Sequence, residues 1–218
     1  MLEVDCNPKT VYRLMRRNAW LSNLRRKTLR PGRLHEGQVM VSEPNRRWAS
    51  DITWIKAWDG RRGRLAVIVD CADRMVLAWR FALRIRHEDL CEMVREALFG
   101  RFGEDVEKGR GIEFLSDNGP EYIAGEFKAF LARMGLAQRR TPCRSPESNG
   151  LAESFFGGFK RDYVYQSRLE DLEAVKRQLP GWFLDYNGVG PHGSLGMKSP
   201  ALFYADWKAK NKILPVQK

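Results

Sequence analysis

The order of strand-like and helix-like segments limits the possible folds of this chain more than any other feature of its sequence. Three runs rich in β-branched and aromatic residues come in succession, at residues 48–58, 65–71 and 75–83. Only short turns separate them, and Gly60 and Gly63 interrupt the first gap. Since short connections join antiparallel neighbours, we expect a three-stranded antiparallel meander.

Helical and strand-like segments alternate after the meander. The first helix is indicated by apolar residues at helical spacing, namely Leu90, Met93, Val94, Ala97 and Leu98. The later segments are a strand at 111–116, a helix at 120–135, a strand at 136–141, and helices at 151–163 and 172–186. We expect Pro180 to kink or divide the last helix. This order predicts an α/β domain, with a mixed sheet of three antiparallel and two further strands flanked by helices.

Excess positive charge is concentrated near the N-terminus. The 218 residues include 38 Lys and Arg against 27 Asp and Glu, a net charge of +11, which favours a polyanion such as nucleic acid as partner. Residues 1–50 hold eleven of these cations and four acids. This composition is typical of an arm that follows DNA phosphates, although a solvated basic linker is the alternative.

A short basic helix is expected at the start of this segment. Asn7 is a favourable N-cap, Pro8 suits the first turn, and an apolar stripe faces away from the basic residues. The candidate DNA contacts are Arg13, Arg16, Arg17, Arg25, Arg26 and Lys27. We therefore divide the chain into a basic helix and linker (1–44), a core domain (45–205) and a basic tail (206–218).

The chain carries no sign of a membrane or secretory segment. Its longest apolar run, residues 65–69, is far shorter than the roughly 18 residues of a membrane span, and no signal peptide is recognisable. We expect no membrane association and a cytoplasmic location. The four cysteines stand far apart and predict neither a zinc site nor a disulfide framework.

Three acidic residues occupy positions where acids are uncommon unless they have a partner. Asp51 lies inside an otherwise apolar strand, Asp117 ends a strand before an Asn-Gly turn, and Glu153 lies on a helix among apolar residues. Taken alone, Asp51 could be a strand-end hydrogen-bond acceptor, Asp117 a turn cap and Glu153 a surface charge. Converging carboxylates repel one another unless cations neutralise them, and oxygen ligands suit Mg²⁺ or Mn²⁺.

Spacing and flanking motifs give these acids a family resemblance. Sixty-five residues separate Asp51 from Asp117, and 35 separate Asp117 from Glu153. The flanking segments read WASDIT (48–53), SDNGPEY (116–122) and SPESNGLAESF (145–155). Together they resemble the DDE signature of retroviral-integrase-like transposases, most closely the OrfB type of bacterial insertion sequences, over about residues 7–203.

The resemblance implies a ribonuclease H-like fold and an enzyme that uses two divalent ions, Mg²⁺ or Mn²⁺. Asp51 would bind both ions, and Asp117 and Glu153 one each. The implied function is cleavage of DNA at transposon ends and transfer of the 3′-hydroxyl to target DNA. Lys160, beside Arg161, matches a basic residue of the family and could hold a phosphate two helical turns after Glu153.

The resemblance also implies partners: DNA, further copies of the chain on paired DNA ends, and an upstream-frame product. The N-terminal helix resembles the second helix of a helix-turn-helix, and only six residues precede its cap. We therefore expect the rest of the DNA-end reader to be partly missing, supplied by an upstream frame, or truncated. Two alternatives remain: a non-catalytic DNA-binding repressor from a truncated transposase, and a metal-dependent nuclease of the same fold.

Several other residues have mainly structural interpretations. We expect the strand tryptophans to lie mostly in the core, although some could stack on unpaired bases; they are Trp48, Trp54, Trp58 and Trp79. His192 is interpreted as a loop histidine and Asp70 as a residue that supports the fold.

Overall fold

The computed structural model describes residues 7–18, 20, 41–140 and 150–212. Internal contacts divide the chain into two compact units, Met1–Gln38 and Val39–Lys218. The predicted domain boundaries remain predictions. Residues 206–212, assigned above to a basic tail, are helical in this structure.

The N-terminal unit contains helix α1, Pro8–Arg17. Asn7 Oδ1 accepts a hydrogen bond of 2.9 Å from the backbone N–H of Lys9 and caps the helix. Pro8 occupies the first turn, where its missing N–H costs nothing. The predicted short basic helix is therefore confirmed.

A five-stranded sheet with the order β3-β2-β1-β4-β5 forms the centre of the second unit. Its strands are β1 (Arg47–Lys56), β2 (Arg62–Asp70), β3 (Val76–Ala82), β4 (Glu113–Ser116) and β5 (Ala137–Arg140). The first three pair antiparallel, and β4 and β5 add in parallel. The predicted mixed sheet is confirmed.

Helices cover both faces of this sheet. They are α2 (His87–Phe102), α3 (Pro120–Ile123), α4 (Gly125–Arg133), α5 (Gly150–Asp162), α6 (Leu172–Gly188) and α7 (Pro200–Lys212). On one face, α2, α3 and α4 bury residues such as Met93 and Phe127 against Trp48 and Phe114. On the other, α5 and α6 pack side chains such as Phe159 against Val67. The sheet is thus buried between two hydrophobic cores.

One predicted helix was wrong, and of the two effects expected of Pro180 the structure contradicts the division of the helix. The helix expected over residues 120–135 is two helices, because Ala124 has an extended backbone with ψ 134° that interrupts the hydrogen-bond ladder. Pro180 does not divide α6, which runs unbroken through it. Its ring is exposed, and tertiary packing of Leu179 and Phe183 holds the helix together around it.

The tryptophans divide into two groups. Trp48 is fully buried and Trp79 half-buried, whereas Trp54 and Trp58 are 53% and 64% exposed, contrary to the expected core positions. Cys71 is buried and Cys91 half-buried, both as free thiols; Cys6 and Cys143 lie outside the described residues. No helix within the described ranges is both long and apolar enough to cross a membrane.

Candidate catalytic site

Two of the three predicted acids lie level with one another on neighbouring parallel strands. Trp48 pairs with Phe114 and Ala49 with Leu115. Asp51 lies two residues after Ala49, and Asp117 lies two residues after Leu115, directly after the end of β4. Adjacent strands lie about 4.8 Å apart, so the register brings the two half-buried acids to the same place at the sheet.

A tight turn holds Asp117. Its Oδ1 accepts a hydrogen bond of 2.9 Å from the backbone N–H of Gly119. A Cβ at position 119 would lie 3.0 Å from that same oxygen and 3.2 Å from Oε2 of Glu121. A side chain at position 119 would therefore require both carboxylates to shift by a few tenths of an ångström.

Buried hydrogen bonds anchor this region beneath Asp51. Ser50 Oγ donates to the carbonyl of Val67 at 2.9 Å, so the hydroxyl of Tyr122, 2.8 Å away, donates to Ser50. Burial raises the pKa of Tyr122 well above its usual value, and the phenol therefore stays protonated. These bonds attach α3, which follows Asp117, to the strand that carries Asp51.

Helix α5 covers the sheet face to which Asp51 belongs. Asp51 pairs across the sheet with Val67, which packs against Phe155 and Phe159 of α5. Lys160 Nζ donates a hydrogen bond of 2.6 Å to Oγ1 of Thr53, two residues after Asp51 on the same strand face. Burial lowers the pKa of Lys160, and the negative charge of Asp51 opposes that shift.

Glu153 lies in the first turn of α5, seven residues before Lys160. Seven residues are nearly two full turns, so its backbone position is on the helix face that carries Lys160. Its side chain is outside the described part of the structure. Among the side chains that are described, no three or more His, Cys, Asp or Glu form a group arranged to hold a metal ion.

The predicted DNA contacts are distributed over both units. Arg13, Arg16 and Arg17 are all exposed on α1, and Arg161 pairs with its neighbour Asp162 at 2.5 Å. Arg25, Arg26 and Lys27 lie outside the described residues. Contact with DNA remains a prediction for each of them.

Two functional candidates escaped the sequence analysis. Thr53 could have been found from the two-residue period of strand faces, which places it beside Asp51. Glu121 belongs to the motif after Asp117, but its partner Arg64 of β2 is remote in sequence. Their ion pair is largely buried and fixes the start of α3 to the antiparallel part of the sheet.

The residues with structural interpretations behave as expected. Asp70 is fully buried and accepts hydrogen bonds from the Trp48 indole at 3.2 Å and from the backbone of Asn45 at 2.7 Å. His192 is half-buried, with its ring centre 4.6 Å from that of Tyr186 in edge contact. Burial lowers the pKa of His192.

Comparisons with known proteins agree with this architecture. Two family models described as integrase core domain match residues 41–146 and 134–200. An uncharacterized protein of insertion element IS136 from Agrobacterium fabrum (strain C58) is 41% identical over 177 residues, which are 80% of this chain and 90% of that protein. The putative transposase InsD for insertion element IS2E of Escherichia coli (strain K12) is 40% identical over 197 residues, 89% of each chain.

Solved structures share the fold at low sequence identity. A chain of the simian T-cell lymphotropic virus intasome in complex with PP2A regulatory subunit B56 gamma aligns with a TM-score of 0.59 and 21% identity. That alignment covers 80% of this chain and 56% of the matched chain. The HTLV-2 integrase catalytic core domain in complex with magnesium aligns at 0.52 and 18% identity, over 74% of this chain and 97% of that domain.

The sheet order and its flanking helices define a ribonuclease H-like catalytic core. With relatives of 40% identity over most of their length, the chain belongs to the integrase core domain family, as a DDE transposase of the insertion-element type.

Proposed function

We propose that this transposase cleaves DNA at the ends of an insertion element and joins the freed 3′-hydroxyl to target DNA, with Asp51, Asp117 and Glu153 as its catalytic acids. The parallel register of β1 and β4 is the observation that carries the proposal, because it sets Asp51 level with Asp117. The packing of α5 on the Asp51 face adds the backbone position of Glu153.

The donor chemistry of these residues fits a hard divalent cation. Two half-buried carboxylates on adjacent strands repel one another, and a cation between them relieves that repulsion. Carboxylate oxygens are the ligands that Mg²⁺ and Mn²⁺ prefer, and a solved core of the same fold is a complex with magnesium. We assign the ions, two per site, to Asp51, Asp117 and Glu153.

Bound Mg²⁺ would supply Lewis acidity to the attacking and leaving oxygens of the phosphodiester. The chain itself orients the acids through the turn at Gly119 and the buried bonds of Ser50. Lys160, fixed by Thr53 on the same sheet face, supplies a cation for a DNA phosphate. The net charge of +11 attracts the DNA backbone.

Partners follow from the same proposal. DNA is bound by the core and by the basic helix α1, whose arginines are exposed. Integrase cores have been solved in dimeric and trimeric forms, which supports a homo-oligomer on paired ends. An upstream-frame product is the proposed source of further contacts with the end sequence.

The decisive experiment incubates the protein with a labelled duplex of the element's end and Mn²⁺. Joined products support the transposase, nicks without joining support a nuclease, and retarded but uncut DNA supports a repressor.

The Asp117→Asn variant should lose at least about 100-fold in cleavage rate, because the amide removes a charged metal ligand. Its DNA affinity should stay unchanged in a mobility-shift assay, since no basic residue is removed. Equal cleavage by the variant would refute the assignment.

A further inference from the structure

Four side chains share one face of the hairpin formed by β1 and β2. Trp54 pairs directly with Arg64, and Lys56 with Arg62. Opposite residues of an antiparallel pair point to the same side, as do alternate residues along a strand. The four residues therefore form one surface, which we call the hairpin patch.

Trp54 is held in this patch without being buried. Its side chain is 53% exposed, and the guanidinium carbon of Arg64 lies 5.6 Å from the centre of the indole ring. Arg64 is itself fixed by its ion pair with Glu121. The guanidinium thus lies against the indole on one side and leaves much of the ring open to solvent.

Two of the three positive charges of the patch are not neutralised by a described acid. Lys56 and Arg62 are exposed, and neither makes an ion pair with any residue that the structure describes. At the tip of the hairpin, by contrast, Arg61 pairs with Asp59 at 2.6 Å. An open aromatic ring beside two uncompensated cations has the chemistry of a site for single-stranded nucleic acid, where a base stacks and the phosphates meet the cations.

The patch and the candidate catalytic site lie on opposite faces of β1. Trp54 follows Asp51 by three residues, about 10 Å along the strand, and this odd spacing directs the two side chains to opposite sides of the sheet. Glu121, which fixes Arg64, begins the short helix directly after the Asp117 turn.

We propose that the hairpin patch binds an unpaired DNA strand, with a base stacked on Trp54 and phosphates at Lys56 and Arg62. The inference rests on the proposed function for the presence of DNA on this domain. A base in an intact duplex has both faces covered by its neighbours. The patch thus selects DNA that carries an unpaired segment over an intact duplex.

The test compares a duplex carrying a single-stranded overhang with the blunt duplex of the same sequence. Fluorescence anisotropy with the full chain in EDTA measures binding without cleavage. The wild-type chain should bind the overhang duplex more tightly. Trp54→Ala should lose about tenfold in affinity for it and nothing for the blunt duplex, because stacking contributes about that much per base. Trp54→Phe, which keeps a ring, should retain most of the preference.

Trp58 supplies the matched control, since it is 64% exposed and outside the patch. Trp58→Ala should keep the wild-type preference for the overhang. Equal affinity of the wild-type chain for both duplexes, or an equal loss in the two alanine variants, would overturn the proposal. Because no metal is present, these outcomes leave the cleavage assay untouched, and failure of the patch is distinguishable from failure of the proposed function.

A second comparison tests the cations of the patch. On single-stranded DNA, the Lys56→Gln/Arg62→Gln double variant should make the negative slope of log affinity against log salt less steep by about 1.4. This is about 0.7 for each phosphate contact that is lost. Lys176→Gln/Arg177→Gln removes the same charge from exposed positions on α6, across the sheet, and should leave the slope unchanged. Equal slopes for the two double variants would show that only net charge matters and would contradict the patch.

Discussion

Among single residues, Thr53 has the most specific role that the structure adds. Its hydroxyl accepts the hydrogen bond of the half-buried Lys160 ammonium. Thr53→Val keeps the shape and removes the acceptor, and should lower the free energy of unfolding by about 1.5–3 kcal/mol, as for hydrogen bonds to charged groups. Thr53→Ser should restore most of the loss. Urea unfolding of both variants measures the effect.

A double-mutant cycle isolates the contact. If Thr53 stabilises the protein through Lys160, the losses in Thr53→Val and Lys160→Met should be non-additive by about 1 kcal/mol or more. Additive losses, to within about 0.5 kcal/mol, would show that the two side chains act independently.

The strand positions of Asp51 and Asp117 could be predicted from sequence, whereas the side chains that contact their surroundings could not. Asp51 and Asp117 stand in motifs with strong local signals: an acid inside an apolar strand and an acid before Asn-Gly. The partner of Thr53 is 107 residues away. Strand periodicity indicates which face Thr53 shares with Asp51, but only the packing of α5 on β1 determines which side chain meets it.

At the level of elements, the division of the predicted helix at Ala124 has a packing reason. Tyr122 and Phe127 both enter the core and meet edge-to-face, with ring centres 6.0 Å apart. Five residues along one α-helix turn through about 500°, so these side chains would point about 140° apart in a continuous helix. The extended backbone at Ala124 lets both face the same core, which apolar spacing alone does not reveal.

Pro180 offers a test of how far packing stabilises α6. A proline in a helix interior costs about 3 kcal/mol relative to alanine, while its stiffness in the unfolded chain returns about 0.4–1 kcal/mol. Pro180 is exposed, so its removal loses no burial. Pro180→Ala should therefore raise the free energy of unfolding by about 2 kcal/mol, measured by urea denaturation.

A control for that experiment is Arg177→Ala, at another exposed position of the same helix. It should change stability by less than about 0.5 kcal/mol. If Pro180→Ala were equally neutral, the helix would already be adapted to the proline, and the propensity penalty would not apply to α6.

On the scale of the molecule, a buried ionic cluster connects distant parts of the second unit. Arg101 of α2 pairs with Asp73, in the turn between β2 and β3, at 2.6 Å and lies 3.9 Å from Asp70. Its guanidinium carbon is 3.9 Å from the ring centre of Tyr204 on α7. One arginine thus joins the sheet, α2 and the last helix.

This cluster should make stability depend on pH. Burial raises the pKa of Asp73 to about 6, Asp70 adds to the shift, and Arg101 opposes it. Between about pH 4 and pH 6, the folded protein therefore holds a proton on Asp73 that the unfolded chain has released. The stabilisation that this proton provides is complete below about pH 4 and is lost as the pH rises through 6. The destabilisation caused by Asp73→Asn should accordingly shrink between pH 4 and 7.

Glu113 is the counterpart with the opposite sign. The hydrogen bond from Arg47, 2.7 Å long, holds the pKa of Glu113 below its usual value. Its contribution is complete above about pH 4.5 and is lost as the pH falls, so the cost of Glu113→Gln should grow from pH 4 to 7. Urea unfolding of both variants over this range gives two slopes. Opposite slopes support the different environments of the two carboxylates, whereas parallel slopes would show that overall charge, and not burial at Asp73, controls the pH dependence.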